Sequence, residues 1–306
     1  MISPDDIDRA GNLIADHIVK TPTLSSKTVW PDRNVVLKLE NTQHTGSFKV
    51  RGAFTTLLSQ EVPNSGIVAA SGGNHGAAAA YAARQLGHHA TIFVPELAGP
   101  AKIELIRSTG ADLNVVQGEY ANALEQAQKF EASTGAMQIH AYDAPDTLAG
   151  QGTLMREWEA QGLDADTVLI AVGGGGLIGG SLAWLQGRKK VVAVEPKEAP
   201  TLNAALANGE PCDVSVGGIA ANALGARRIG NMCFDLATEL GIVSVLVDDD
   251  AIAQAQVRLW QSHRQWVEPA GAAALAALLS GAYVPETDER VAVLVCGANP
   301  APGPFE

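Results

Sequence analysis

Strand-length apolar runs alternate with alanine-rich helical patterns along almost the whole chain, and this alternation is the feature that most constrains its fold. Apolar runs stand at residues 35–39, 67–70, 90–94, 113–116, 167–172, 191–194, 243–247 and 291–295. Helical patterns lie between them, for example at residues 75–86, 121–132, 251–262 and 270–279. Strands that are separated by helices pair in parallel, because each helix returns the chain to the same edge of the sheet. The pattern predicts an α/β fold with mostly parallel sheets and helices on both faces.

A chain of 306 residues is near the size at which a single core divides, which predicts two lobes. The turns at residues 63–66 (PNSG) and 143–145 (DAP) are the best candidates for the edges of an inserted lobe. We expect a large domain formed by residues 1–62 and 145–306, and a small domain formed by residues 63–144. Ligands of such folds bind at the carboxyl ends of the strands, so a cleft between the lobes is the expected site.

Composition excludes several functional classes. A formal net charge of -12 argues against nucleic acids and anionic membrane surfaces as partners, because both require a basic face. The apolar runs are shorter than the roughly 20 residues of a membrane helix, and the amino-terminal residues have no apolar signal core. Three cysteines without a C-x-x-C pair indicate neither a disulfide framework nor a zinc site. We expect a cytoplasmic protein with a small-molecule ligand.

Four consecutive glycines follow the apolar run at 167–172: Gly173, Gly174, Gly175 and Gly176. Glycine lacks Cβ, so successive amides at the start of the next helix can close around an anion, most simply a phosphate. The same stretch also fits the dinucleotide-binding pattern G-x-G-x-x-G through Gly179, with Glu195 about 20 residues further on. A turn that only allows a helix to pack on a sheet is a third interpretation. The run alone leaves these alternatives open.

Two other segments carry residues suited to catalysis. Lys49 follows a Gly-Ser turn at the predicted start of a helix, where the positive helix end lowers the pKa of the amine and favours its imine-forming state. Residues 71–76 (SGGNHG) join a strand to an alanine-rich helix, so their amides, the Ser71 hydroxyl and the Asn74 amide can hold a second anion. Taken singly, each segment also suits a surface lysine or a helix cap. Together they indicate a ligand with a phosphate and a carboxylate.

These segments resemble the serine/threonine dehydratase family of pyridoxal-phosphate enzymes, which have the tryptophan synthase β fold (fold type II). The resemblance rests on separated motifs that run through the whole chain: SFKVRGA at 47–53, SGGNHG at 71–76, GQGT at 150–153, GGGGL at 173–177, EPAGAAA at 268–274 and CGAN at 296–299. It implies a pyridoxal 5'-phosphate enzyme that removes water from a hydroxyamino acid and releases a 2-oxo acid and ammonia.

The resemblance also implies roles for individual residues. Lys49 would bind the cofactor covalently and move the Cα proton of the substrate. The cofactor-binding residues would be Phe48, Lys49, Asn74, Gly173, Gly174, Gly175, Gly176, Leu177 and Cys296, with Cys296 facing the pyridine nitrogen as a neutral group. The substrate-binding residues would be Ser71, Gly72, Asn74 and His75.

Three alternatives to a dehydratase stay open. Related racemases have a serine as the acid at the position of Gly72, so its absence here favours dehydration. An oxidoreductase that uses a nicotinamide dinucleotide would explain the glycine pattern but would leave Lys49 without a purpose. A non-catalytic binder with the same fold is the third alternative. The segment 217–230 departs from the family's usual Ala-Asp-Gly at Asn222 and Ala223, which leaves open a hydroxyamino acid other than serine or threonine as the substrate.

The resemblance further implies a cation site formed by Glu195, Ala199 and Thr201. The neutral hydroxyl of Thr201 stands where a divalent site has a second carboxylate, which favours a monovalent cation. A homodimer is expected, because relatives are commonly dimers. The chain ends soon after Cys296, so we expect a catabolic enzyme without a regulatory domain.

Overall fold

The computed structural model describes residues 2–31, 33–118 and 120–299, which form two β-sheets and the helices that pack on them. The strands are β1 (Thr23–Ser26), β2 (Val35–Leu39), β3 (Ile67–Ala70), β4 (Ala90–Pro95), β5 (Asp112–Val116), β6 (Met137–Gln138), β7 (Thr167–Ala171), β8 (Lys190–Pro196), β9 (Val243–Val247) and β10 (Val291–Val295). The helices are α1 (Pro4–Leu13), α2 (Lys49–Ser59), α3 (Asn74–Gln85), α4 (Pro100–Ser108), α5 (Tyr120–Thr134), α6 (Pro145–Ala160), α7 (Gly176–Leu185), α8 (Thr201–Asn208), α9 (Ala221–Leu224), α10 (Asn231–Leu240), α11 (Asp249–His263) and α12 (Pro269–Leu279).

The larger sheet has the strand order β1-β2-β10-β7-β8-β9. Its neighbours pair in parallel except for β1, which lies antiparallel to β2 at the edge. Strands β7 and β10 are buried along their whole length, as parallel strands covered on both faces must be. Helix α12 packs along β7 to β10, and α7 and α8 pack on the same sheet.

The smaller sheet has the strand order β5-β4-β3-β6, with all pairs parallel. Helices α3 and α5 pack against its strands. The two sheets have separate apolar cores: the larger core includes Trp158, whereas the core beside α3 consists largely of alanines. Two sheets with separate cores agree with the predicted two-lobed α/β architecture. The division of the chain at residues 62/63 and 144/145 stays a prediction.

The predicted strands and helices are present with their ends within two residues of the predicted ones. The sequence pattern missed β1 and β6, because β1 is polar and partly exposed and β6 has only two residues. Within the ranges that the structure describes, no helix is both long and apolar enough to cross a bilayer.

Candidate active site

Two loops at the carboxyl ends of neighbouring parallel strands are joined to each other. The Phe48 amide donates to the Cys296 carbonyl oxygen at 3.3 Å, and the Ala298 amide donates to the Gly46 carbonyl oxygen at 2.8 Å. Gly46 has φ of +72°, and a Cβ there would meet the Asn299 side chain at 2.6 Å. These bonds fix the loop before α2 on the loop after β10, so Lys49 and Cys296 face the same space.

A cavity at this edge of the larger sheet contains most of the residues that the sequence predicted to bind a cofactor. It encloses about 460 Å³ of empty space, part of it open to solvent. The predicted residues in its wall are Phe48, Lys49, Asn74, Gly173, Gly174, Gly175, Gly176, Leu177 and Cys296. Ser71, Gly72 and His75 flank Asn74 in the chain but are not in the wall itself. Residues from the ends of β2, β7 and β10 thus meet in one place, as open parallel sheets predict.

Lys49 is the first residue of α2 and lies half-buried in this wall. Its Nζ donates to the Ala141 carbonyl oxygen at 2.9 Å and lies 5.2 Å from the centroid of the Phe48 ring. Loss of hydration lowers the pKa of the amine to about 8, against the opposing effects of Cys296 and Glu268. The pKa is lowered, as expected from the sequence, and burial is its main cause. The amine is therefore a usable nucleophile near neutral pH.

The glycine run connects β7 to α7 and leaves no space for side chains. Gly175 has φ of +95°, a left-handed conformation that favours glycine. A Cβ at Gly174 would lie 2.3 Å from the ring of Tyr142, and one at Gly173 would lie 2.8 Å from Leu224 Cα. The run ends at the amino terminus of α7, where amides without helical partners favour an anion.

Asn74 is buried and held in one orientation by two neighbours. Its Nδ2 donates to Glu268 Oε1 at 2.5 Å, and its Oδ1 accepts from Asn299 Nδ2 at 2.8 Å. Asn299 is fixed in turn by a bond from Nδ2 to the Thr45 carbonyl oxygen at 2.8 Å. Burial raises the pKa of Glu268 to about 7. The motifs SGGNHG, EPAGAAA and CGAN thus meet through Asn74.

The loop at residues 71–76 follows β3 and opens helix α3. The Ser71 hydroxyl accepts the Gly73 amide at 3.2 Å, and no side chain caps the amino terminus of α3. His75 Nε2 lies 2.9 Å from the Ile139 carbonyl oxygen, so this nitrogen carries the proton. Burial lowers the pKa of His75 to about 3, so the ring is neutral. A Cβ at Gly72 would lie 2.4 Å from the Ala98 Cβ, so position 72 has no space for a side chain.

Cys296 is a buried thiol at the end of β10. Its Sγ donates to the Ala270 carbonyl oxygen at 3.4 Å. Burial raises the pKa of the thiol, so it stays neutral at physiological pH. This neutral state is the one that the family resemblance implies for a partner of the pyridine nitrogen.

Of the predicted cation ligands, Glu195 and Thr201 lie together next to Gly173, and the Ala199 carbonyl oxygen accepts the Thr201 amide at 3.2 Å. The Glu195 carboxylate is buried and accepts the Leu202 and Asn203 amides, each at 2.7 Å. The Thr201 hydroxyl lies 2.6 Å from the Gly173 carbonyl oxygen and 3.1 Å from Glu195 Oε1. Glu195 therefore caps α8, and the Thr201 hydroxyl separates its carboxylate from the Gly173 carbonyl oxygen, so it does not line the cavity as a ribose-binding acid would.

Several residues in or beside the cavity had no role in the sequence prediction. Tyr142 covers Gly174, and Glu268 orients Asn74. Lys102 projects from α4 toward the loop at residues 71–76, with its Nζ 3.4 Å from the Asn222 carbonyl oxygen. Glu268 and Asn299 stand in motifs that the sequence already singled out. Lys102 and Tyr142 stand outside those motifs.

The residues present fit pyridoxal phosphate. One cavity wall combines an amine of lowered pKa, a glycine turn at a helix amino terminus for a phosphate, an oriented amide and a neutral thiol. These are the groups that a phosphorylated aldehyde with an aromatic nitrogen requires.

Comparison with known proteins identifies the class. Residues 14–297 match the family described as pyridoxal-phosphate dependent enzyme, and the chain belongs to that family. The match favours pyridoxal phosphate over the dinucleotide alternative, in agreement with the orientation of Glu195.

Individual relatives indicate the type of reaction within this class. The chain is 32% identical over 306 residues to an L-threonine ammonia-lyase of Thermotoga maritima, covering 98% of this chain and 76% of that protein. A T.th. threonine deaminase structure is similar with a TM-score of 0.90 and 33% identity, covering 99% of this chain and all of that one. Maize serine racemase has a TM-score of 0.93 and 28% identity, covering 99% of this chain and 95% of that one. The predicted fold type and the predicted ammonia-lyase class are confirmed.

The chain spans only part of some relatives. It covers 53% of a biosynthetic L-threonine dehydratase of Haemophilus influenzae, to which it is 35% identical.

Proposed function

We propose that this protein removes water from a hydroxyamino acid of the serine/threonine type and releases a 2-oxo acid and ammonia. The observation that carries the proposal is the position of Lys49. Its amine, with a pKa lowered to about 8, shares a cavity with the anion-binding glycine run and lies near the loop at residues 71–76. A phosphate and a substrate carboxylate can thus be held on either side of one amine.

Bound pyridoxal phosphate would supply an electron sink for the Cα–H bond of the substrate amino acid. Lys49 would hold the cofactor, and its amine would then accept the Cα proton. The amides at the start of α3 and the Ser71 hydroxyl would bind the substrate carboxylate. Asn74, oriented by Glu268 and Asn299, would donate to the ring hydroxyl of the cofactor. The Cys296 thiol would face the ring nitrogen without adding charge.

Racemisation is the second candidate, because maize serine racemase has a similar structure. A racemase needs an acid on the face of Cα opposite Lys49. Position 72, where the related racemases carry a serine, is a glycine packed against Ala98 and Val94. This packing favours elimination over racemisation.

The test is turnover of L-threonine and L-serine by the protein loaded with pyridoxal phosphate. Release of 2-oxo acid and ammonia in equal amounts is expected, together with a visible absorbance band that borohydride removes while it labels Lys49. Lys49→Ala should lose turnover while it keeps its unfolding midpoint as apo-protein. A protein that binds the cofactor but forms only the opposite enantiomer would refute the proposed elimination.

We further propose a monovalent cation at Glu195, Ala199 and Thr201. The support is a cluster of oxygen atoms beneath the glycine run, in which Thr201 lies between Glu195 and the Gly173 carbonyl oxygen. Both carboxylate oxygens already accept amide hydrogen bonds, so a cation would have to compete with them. Activity that is higher in potassium than in tetramethylammonium at equal ionic strength would support the site. Equal activity in both salts would exclude it.

We also propose a cytoplasmic homodimer. The three cysteines are unpaired, as expected in a reducing compartment. Trp260 and Trp266 stack edge to face at 5.7 Å and stay 43% and 41% exposed, which gives a second copy an apolar surface to cover. Light scattering of the wild type and of Trp260→Ser would test the assembly, and a monomeric wild type would refute it.

A further inference from the structure

Lys102 is a buried lysine beside the predicted substrate loop. It lies on α4 next to the smaller sheet, and its side chain is only 5% exposed. Its Nζ lies 3.4 Å from the Asn222 carbonyl oxygen and 3.9 Å from the position that a Cβ on Gly73 would occupy. The ammonium group thus stands between the loop at residues 71–76 and the segment at residues 221–224.

The charge of Lys102 is not balanced by a hydrogen-bonded carboxylate. Other buried cations each contact a carboxylate: Lys38 lies 2.6 Å from Glu157, and Arg51 lies 2.5 Å from Glu40. Among the described residues, no carboxylate oxygen lies within 4.0 Å of Lys102 Nζ. Glu268 interacts with Lys102 only at longer range. Residue 222 supplies no carboxylate, because it is an asparagine. A buried ammonium of this kind is costly unless an anion joins it.

The substrate α-carboxylate does not require Lys102. The amides at the amino terminus of α3 are not capped by a side chain, and in the proposed function they would bind that group. Lys102 therefore remains available for another anionic group of the same substrate.

We infer that Lys102 is a specificity-determining residue that binds a second carboxylate, carried by the β-carbon of the substrate. The substrate class is then a 2-amino dicarboxylic acid whose Cβ carries both the hydroxyl and the second carboxylate, as in 3-hydroxyaspartate. This inference rests on the proposed elimination of water.

The experiment compares kcat/KM for L-threo-3-hydroxyaspartate and L-threonine, which differ in having a carboxylate or a methyl group on Cβ. The wild type should prefer the diacid. Lys102→Met should lower the ratio of the two values by about 10- to 100-fold, the usual range for a lost charge-assisted hydrogen bond. Lys129→Met is the matched control, because Lys129 is an exposed lysine paired with Glu125, and its ratio should equal that of the wild type.

A second variant keeps the test valid if Lys102→Met does not fold. Asn222→Asp adds a negative charge on the residue whose backbone carbonyl oxygen contacts Lys102, so it should also lower the ratio by repelling the diacid. Lys102→Arg keeps the charge and should retain part of the preference. Cofactor absorbance and the unfolding midpoint of each variant report whether the fold is intact.

The outcomes separate the inference from the proposed function. A wild type that turns over L-threonine but not the diacid overturns the inference alone. An equal fall in kcat/KM for both substrates in Lys102→Met also overturns it, because Lys102 would then bind the α-carboxylate that both substrates share. A wild type that dehydrates neither substrate overturns both.

Discussion

Replacing Arg51 by methionine should destabilise the protein by about 3–5 kcal/mol, the usual cost of breaking a buried ion pair. Arg51 lies two residues after Lys49 and is fully buried. Its guanidinium donates to Glu40 Oε1 at 2.5 Å, to Glu40 Oε2 at 3.1 Å and to Glu157 Oε2 at 3.0 Å. Methionine keeps most of the apolar volume of the side chain but provides no charge. The change in unfolding free energy therefore reports mainly the loss of the ion pairs.

Most of the lost unfolding free energy should come from the Glu40 carboxylate, which loses its charged partner. Glu157 is partly exposed and keeps Lys38 at 2.6 Å, whereas Glu40 is fully buried. Without Arg51, the partners that Glu40 keeps among the described residues are the Thr21 hydroxyl at 2.7 Å and the Gln43 side-chain amide at 3.4 Å. A buried carboxylate with two neutral partners is strongly disfavoured over its hydrated state in the unfolded chain.

Urea unfolding of the apo-protein, followed by tryptophan fluorescence, measures the loss of unfolding free energy. Arg188→Met is the matched control, because it removes an exposed ion pair with Glu159 and should cost at most about 1 kcal/mol. The double variant Glu40→Gln with Arg51→Met should be more stable than Arg51→Met alone, since the orphaned charge is gone. A loss below about 1 kcal/mol in Arg51→Met, or no recovery in the double variant, would refute this reasoning.

Four further predictions concern the ionisable groups and the packing of the protein. The rate at which the apo-protein takes up pyridoxal phosphate, followed by absorbance, should rise with pH through the Lys49 pKa of about 8, because the free amine is the nucleophile. The Lys49 pKa is about 8 in the folded protein and 10.5 in the unfolded chain, so the unfolded chain binds more protons between these two pH values. The Lys49 contribution to the unfolding free energy should therefore increase as the pH rises from about 8 to 10.5. Gly72→Ser should cost about 1–3 kcal/mol in urea unfolding, because its Cβ meets Ala98 at 2.4 Å, and chiral chromatography should detect no opposite enantiomer. Iodoacetamide should label Cys212 first in mass spectra, since burial raises the pKa of the Cys233 and Cys296 thiols; equal labelling would contradict the burial of both.

The parts of the site that the sequence predicted are those that depend on the backbone. A buried parallel strand gives a continuous apolar run, and the glycine run follows such a strand because the backbone must turn with φ of +95° at Gly175. The carboxyl ends of parallel strands meet at one edge of a sheet, so the strand pattern alone predicts that loops far apart in sequence lie close together. Lys49 and Cys296 follow neighbouring strands of the larger sheet, whereas Asn74 follows β3 of the smaller sheet.

The parts that the sequence did not predict depend on contacts between distant side chains. Tyr142 covers Gly174 from another segment, and no local pattern in residues 140–144 indicates this contact. Glu195 follows an apolar run at the spacing of a ribose-binding acid, yet its carboxylate turns to the amides of α8. The choice between these two orientations depends on where α8 begins, which spacing alone does not define.

Position 72 and Lys102 together constrain the stereochemistry of the reaction. Racemisation would need a proton donor on the face of Cα opposite Lys49, and the packing of Gly72 against Ala98 leaves none at the usual position. Lys102 is the ammonium group that the structure places beside the adjacent Gly73. If it binds a second carboxylate on Cβ, as we infer, it is directed to that group and not to Cα, which leaves elimination as the available path. A wild type that forms the opposite enantiomer, and a Lys102→Met variant that loses this product while it keeps the diacid preference, would instead identify Lys102 as the missing acid.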